Sequence, residues 1–342
     1  MQHEPESLSQ DAPRLLFVVG LWRSGTSLAH ALLNRHPQIA LLYEAEPLEL
    51  WPRSGGLFPM RDWPRRLEFY NQTFTRHKLD PRRLASTPPG PDGVRMLYRE
   101  YASGRNATVM GEKAPSYYAR LPALGKLFPD AQFVIIWRDP LECCRSAKRA
   151  ARQNRFFAQR GMAQRMLLGA ETLARGVEEL LREKRSVCEV VYDDLVKDTE
   201  GELRRVCDFL KIPFAPAMLD LKSADTSSVP SGEHHVGVRS GVIGKAAEAT
   251  EVLPAAFVAK GRRYAKLWRA RFSKLAFARA LAAPAEVAPG LAERLADTGV
   301  RVFWRGTGAF KHFLFRRIPL SWWARLRSTT PRAQTGQKTA RD

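Results

Sequence analysis

The stretch that most limits the fold is Leu15–Arg35. An apolar, β-branched run, Leu15–Val19, ends at Gly20, and Gly20-Leu-Trp-Arg-Ser-Gly25-Thr26-Ser27 follows it. Leu28, Ala31, Leu32 and Leu33 then recur at helical spacing until Pro37 stops the pattern. A short continuous apolar run predicts a strand buried on both faces, and the spacing after it predicts a helix. A strand, a glycine turn and a helix start bring backbone N–H groups and the positive end of a helix dipole to one point. The frame therefore predicts an anion site, although alone it is also compatible with a tight turn that holds no ligand.

The same logic recurs along the chain. Gln132–Trp137 reads as a second strand, and Asp139 and Pro140 cap and start a helix to about Arg155. Val187–Tyr192 reads as a third strand, with a helix over about Glu200–Leu210 after it, and Thr108–Gly111 reads as a fourth strand at the sheet edge. Strands alternating with helices predict an α/β fold of three layers, a parallel sheet flanked by helices. Trp51–Pro91, rich in Pro, Arg and aromatics, reads as an irregular lid with a helix near Arg65–Arg76. Past about Thr250 the chain changes character: Val258–Ala282 reads as helical and basic, Pro284–Pro289 as a linker, and Val300–Arg327 mixes Phe, Trp and Arg. Residues 1–13 and 328–342 read as disordered ends, and no internal repeat is found.

Charge narrows the partner class. The 342 residues carry 55 Lys+Arg against 35 Asp+Glu, a formal net charge of +20. Such an excess points to nucleic acid, an anionic membrane or anionic small molecules. Hydrophobic residues make up 44% of the chain, which argues against a disordered protein. Cys143, Cys144, Cys188 and Cys207 show no C-x-x-C spacing, so zinc and a disulfide framework are not expected and a reducing compartment fits. Met1–Pro13 lacks the basic and apolar regions of a signal peptide, and no stretch reaches the ~18 apolar residues of a membrane span. The expectation is a cytoplasmic protein with peripheral contact at the inner face of the membrane.

Gly20–Ser27 has the frame of a P-loop but carries Thr26 where nucleoside triphosphatases carry lysine. Without that lysine, ATP or GTP turnover is disfavoured and a shorter phosphate chain is favoured, with Arg23 as an alternative cation. Arg138 ends the second strand at the crevice where α/β sheets bind ligands, and Ser146 lies about two helical turns further on. A guanidinium there can grip a phosphate through two parallel hydrogen bonds, although Arg138-Asp139-Pro140 alone also reads as a structural cap.

Together, Arg23-Ser24-Gly25-Thr26-Ser27 and Arg138-Asp-Pro with Ser146 resemble the two signature segments of the sulfotransferases that depend on PAPS (3′-phosphoadenosine 5′-phosphosulfate). Further segments agree in order: Gly111-Glu-Lys113-Ala-Pro-Ser-Tyr117, then Val191-Tyr192-Asp-Asp-Leu195 with Cys207-Asp-Phe-Leu210, then Arg239-Ser-Gly241-Val-Ile-Gly244. The likeness covers roughly residues 14–250 and is similar to the bacterial and tyrosyl-protein branches. In the last segment Ser240 stands where the family has lysine, and Lys245-Ala246 replaces an acidic-Trp ending.

The resemblance implies a P-loop-like sulfotransferase domain over 14–250 and a basic aromatic helical appendage over 251–327. It implies transfer of the sulfuryl group of PAPS to an acceptor hydroxyl or amine, with no metal. It implies that Arg23, Ser24, Gly25, Thr26 and Ser27 hold the 5′-phosphosulfate. Arg138, Ser146, Arg239 and Gly241 would hold the 3′-phosphate, with Tyr192 near the nucleotide. Glu44 is the implied general base, with Glu46 as its rival, and Lys113 and Arg23 the implied cations at the transferring group. A carbohydrate, lipid, peptide or small-molecule acceptor all remain open, as does the oligomeric state. His36 reads as a partner of a helix C-terminus, His234-His235 as no metal pair, and Cys143 and Cys144 as packing residues. The C-terminal basic aromatic stretch reads as a packed appendage, with docking on anionic lipid and binding of a nucleic-acid single strand as alternatives. The competing functions are a P-loop kinase or nucleotide hydrolase, and a non-catalytic membrane- or nucleic-acid-binding module.

Overall fold

A computed structural model of the chain describes residues 13–50, 63–84, 90–105, 107–225 and 251–317. The sheet has five strands: β1 (Arg14–Gly20), β2 (Ile39–Tyr43), β3 (Val109–Lys113), β4 (Gln132–Trp137) and β5 (Ser186–Val191). Their order is β2-β3-β1-β4-β5, and every pair is parallel. Parallel neighbours need crossovers, and helices supply them. These are α1 (Thr26–Leu33), α2 (Trp63–Asn71), α3 (Thr73–His77), α4 (Pro91–Ser103), α5 (Leu121–Leu127), α6 (Pro140–Ala150), α7 (Met162–Arg182), α8 (Tyr192–Lys197) and α9 (Thr199–Leu210). Three more follow: α10 (Ala255–Arg271), α11 (Phe277–Ala280) and α12 (Leu291–Arg317).

Side chains alternate across a strand, and here each alternation feeds a different core. Leu15, Phe17 and Val19 join Phe133, Ile135 and Trp137 under α4, α5, α6, α7 and α10. Leu16 and Val18 join Val134, Ile136 and Val190 under α1 and α9. That double burial explains why β1 and β4 read as unbroken apolar runs. Phe17 is fully buried, with its ring 5.7 Å from Phe133 and 5.5 Å from Phe128. α10 and α11 pack on the same face: Gly261 lies against Leu141, and the Phe277 ring is 4.8 Å from Trp137.

Two sequence expectations change. Thr108–Gly111 is not an edge strand, because β2 pairs outside it and makes β3 interior. Gly111 suits that place: a Cβ there would lie 1.9 Å from the Leu16 carbonyl oxygen across the sheet. The helix from Pro140 ends at Ala150 rather than Arg155, and turns then bring Phe156 to 5.3 Å from Trp22. In the lid region, α2 and α3 fall where a helix was expected, while 51–62 and 85–89 lie outside the described residues.

The β1-to-α1 and β4-to-α6 connections leave adjacent strands for opposite faces of the sheet. That divergence opens a crevice at the C-terminal ends of β1 and β4. Replacing Phe17 by Ala should cost about 3–5 kcal/mol in urea unfolding, because the surrounding rings cannot close the cavity. A loss under about 1 kcal/mol would contradict the packing described.

Candidate functional site

In a parallel sheet all strand C-termini lie along one edge, and here each delivers a residue singled out by the sequence or its neighbour. β1 leads into the 20–25 loop, β2 into Glu44, β3 ends at Lys113, β4 leads into Arg138 and β5 into Tyr192.

The loop after β1 has Arg23 at φ 71° and Gly25 at φ 101°. Gly25 must be glycine for a second reason: a Cβ there would lie 2.2 Å from the Tyr192 ring. The Arg138 guanidinium stacks 4.4 Å from the centre of the same ring and donates to the Arg23 carbonyl oxygen at 3.2 Å. Arg23 Nε donates to Ser146 Oγ at 3.1 Å. The structure thus gathers Arg23, Gly25, Arg138, Ser146 and Tyr192 in one place. Burial pushes the Arg23 guanidinium below its usual range; Tyr43 and other groups oppose that shift, while the Arg138 charge adds to it. Ser24 Oγ is buried and has no hydrogen-bond partner among the described residues, and no side chain caps the start of α1. Unspent donors and two neighbouring cations suit an anion.

A second group adjoins the first through Ser27. Lys113 is fully buried; its Nζ lies 2.5 Å from Glu44 Oε1, 3.4 Å from Ser27 Oγ and 3.3 Å from the centre of the Tyr43 ring. Ser27 Oγ and the Tyr43 hydroxyl are 2.9 Å apart. Burial lowers the Lys113 pKa, and Glu44 opposes that shift. Glu44 and Glu46 both have positive φ, 50° and 55°, which is uncommon for side chains of this kind. The Glu46 amide donates to Glu112 Oε2 at 2.9 Å, and the Tyr98 hydroxyl donates to Glu112 Oε1 at 2.5 Å.

Arg239 and Gly241 lie outside the described residues, as do His234 and His235. His36 does not end α1 as a dipole partner alone: its Nε2 donates to the Pro213 carbonyl oxygen at 2.7 Å. Cys143 and Cys144 are buried, and burial raises the Cys143 thiol to about 12. The sequence reading missed Tyr43 and Glu112. Tyr43 closes the apolar run Ile39-Ala-Leu-Leu-Tyr43, a strand signal in plain view after Pro37. Glu112 gives no local signal, because its partners come from α4, the 115–119 turn and the loop after β2.

Two buried histidines hold β2 in place. His30 Nε2 donates to the Leu41 carbonyl oxygen at 2.9 Å, and His77 Nε2 to the Tyr43 carbonyl oxygen at 3.2 Å. Each leaves Nδ1 buried without a partner among the described residues, and burial depresses their pKa values to about 3 and about 4. The unfolded chain takes up these protons near pH ~6.5 and the folded chain does not. Their stabilising effect is complete above that pH and is lost as pH falls toward 4 and then 3. The buried carboxyls of Asp139 and Glu112, whose pKa values burial raises, act in the opposite sense, so thermal melts should show the wild type losing more melting temperature below neutrality than a His77→Gln variant. An equal fall in both would contradict a neutral, buried His77.

Residues 13–216 match the sulfotransferase family model. Protein-tyrosine sulfotransferase 1 of Danio rerio is 25% identical over 225 residues, which are 63% of this chain and 58% of that protein. The match thus spans less than two thirds of that relative's length. The sulfotransferase domain from the curacin biosynthetic pathway superposes with a TM-score of 0.53 at 19% identity, over 80% of this chain and 100% of that one. The sulfotransferase domain of the Synechococcus PCC 7002 olefin synthase gives 0.47 at 20% identity, over 74% and 94%.

Proposed function

The chain belongs to the sulfotransferase family, and from that premise we propose that it transfers the sulfuryl group of PAPS to an acceptor hydroxyl or amine, with Glu44 as general base. One observation carries the reading: the Lys113 ammonium lies between the Glu44 carboxylate and Ser27 Oγ at the mouth of the loop. A cation there can stabilise charge on a leaving phosphate oxygen.

The residues present suit a nucleotide with anionic groups at both ends. Ser24, Gly25, Thr26 and Ser27 would hold the 5′ end through backbone N–H groups and hydroxyls. Arg138 and Ser146 would hold the 3′-phosphate, with Arg239 and Gly241 completing that end. Tyr192 fixes the Arg138 plane by stacking. When bound, PAPS supplies an activated sulfuryl group. Glu44 takes the proton of the acceptor oxygen as that oxygen forms its bond to sulfur. The bond from sulfur to the phosphate oxygen breaks, its electron pair stays on that oxygen, and Lys113 with Arg23 neutralises the charge. For this, Lys113 must shift its hydrogen bond from Glu44 toward the loop, and its contact with Ser27 marks that direction.

Thr26 at the lysine position of the loop counts against a kinase or triphosphatase.

Transfer of radiolabelled sulfate from PAPS into fractionated cell extract tests the proposal and finds the acceptor. Glu44→Gln should lower kcat by ~10²–10⁴ with little change in donor KM. Arg138→Ala should raise donor KM by roughly ten- to a hundredfold, the loss of a charge-assisted contact. Unchanged kcat in Glu44→Gln would remove Glu44 as the base. Absence of any labelled product with the wild-type chain would overturn the reaction itself.

A further inference from the structure

The helix α12 has two faces of different kinds. Its inner face is fixed by polar contacts. Asp297 is buried at 1% exposure, and it accepts from Lys260 Nζ at 2.6 Å, the Tyr264 hydroxyl at 2.7 Å and Gln164 Nε2 at 2.9 Å. Arg301 pairs with Glu171 at 2.7 Å, and Glu293 with Arg263 at 2.8 Å. These contacts set which way the helix is turned.

The face so turned outward is apolar. Leu291, Leu295, Val302 and Phe303 are 68%, 62%, 64% and 62% exposed. At about 100° per residue they share one side of the helix, opposite Asp297. Large apolar side chains exposed as a stripe mark an interaction surface, whereas scattered ones do not. The sequence keeps apolar residues at the same spacing through Phe310, Phe313 and Leu314. From Leu291 to Arg327 it holds eight Lys and Arg against two acidic residues. Among the described residues no helix is long and apolar enough to cross a membrane.

We propose that α12 lies on an anionic lipid surface, with Leu291, Leu295, Val302 and Phe303 in the interface and the basic excess of the sequence supplying the electrostatic attraction. An apolar stripe within a cationic, weakly hydrophobic helix is the pattern that binds in the plane of a membrane. The chain's net charge of +20 attracts it to a negative surface before the stripe engages. A nucleic-acid strand suits the stripe less well: three of its four members are aliphatic and offer no ring for a base to stack on. A second copy of the chain would bring like charges together. The inner face of the helix reaches the loop after β1. Arg165 stacks 5.4 Å from the Trp304 ring centre and 4.9 Å from that of Trp22, the neighbour of Arg23. A lipid-bound α12 therefore sits beside the candidate site. The docking does not depend on the reaction proposed above.

The test is co-sedimentation of the full chain with vesicles of phosphatidylcholine alone and of an equimolar mixture with phosphatidylglycerol. The wild type should pellet with the mixed vesicles, less with the neutral ones, and less again as salt is raised. The double variant Leu295→Asp, Phe303→Asp should bind mixed vesicles at least about tenfold more weakly. Because both residues are exposed, its thermal melt should match the wild type, which separates lost docking from lost folding. Equal pelleting of wild type and variant would overturn the proposal. So would no pelleting of the wild type, whether the double variant instead abolishes self-association in sedimentation velocity or binding to single-stranded DNA.

Discussion

A fully buried ammonium group is expensive, and the arrangement around Lys113 follows from that expense. The charge must be met by an anion, a ring face or a hydroxyl, and Glu44, Tyr43 and Ser27 provide one of each. All three come from elements other than β3, so the lysine can be satisfied only when β1, β2 and β3 are in register. The parallel pairing that aligns Tyr43 and Val18 with Lys113 is thus a condition of the site as well as of the fold.

The neighbouring group obeys the same rule with a different answer. Arg23 and Arg138 bring two guanidinium groups together, linked through a backbone carbonyl rather than a carboxylate. Tyr192 lies over Gly25 and under Arg138, so the ring fixes the turn and the cation together. Unusual backbone occurs here too. Arg23, Glu44 and Glu46 adopt positive φ, and such backbone persists where surrounding contacts over-determine it. At Glu46 the fixing contact is the buried Glu112 carboxylate. The Tyr98 and Tyr117 hydroxyls hold it, and burial raises its pKa.

Much of this was legible in the sequence, and the limit is physical. β1 and β4 announce themselves because strands buried on both faces need unbroken apolar runs. Gly20, Gly25 and Arg138 are legible because a turn at a strand end needs those residue types. The place of β3 was misjudged because order within a sheet is a matter of crossovers, which no local pattern encodes. Glu112 gives no local signal, because successive strand residues face opposite ways and its neighbour Lys113 does not share its surroundings. The tertiary partners Tyr98, Tyr117 and the Glu46 amide explain a carboxylate in the core. Glu44 entered through family likeness alone. The contact with Lys113 depends on the pairing of β2 with β3, and β2 went unread although its apolar run was visible.

We propose that the C-terminal edge of the sheet is one anion site for a nucleotide charged at both ends, without a triphosphate's loop lysine. Isothermal titration of the full chain with 3′,5′-adenosine bisphosphate in buffer containing EDTA tests it most directly. The account predicts saturable binding at one site per chain in that buffer, with ATP and magnesium binding much more weakly. No heat with the bisphosphate, alongside saturable binding of magnesium-ATP, would contradict it.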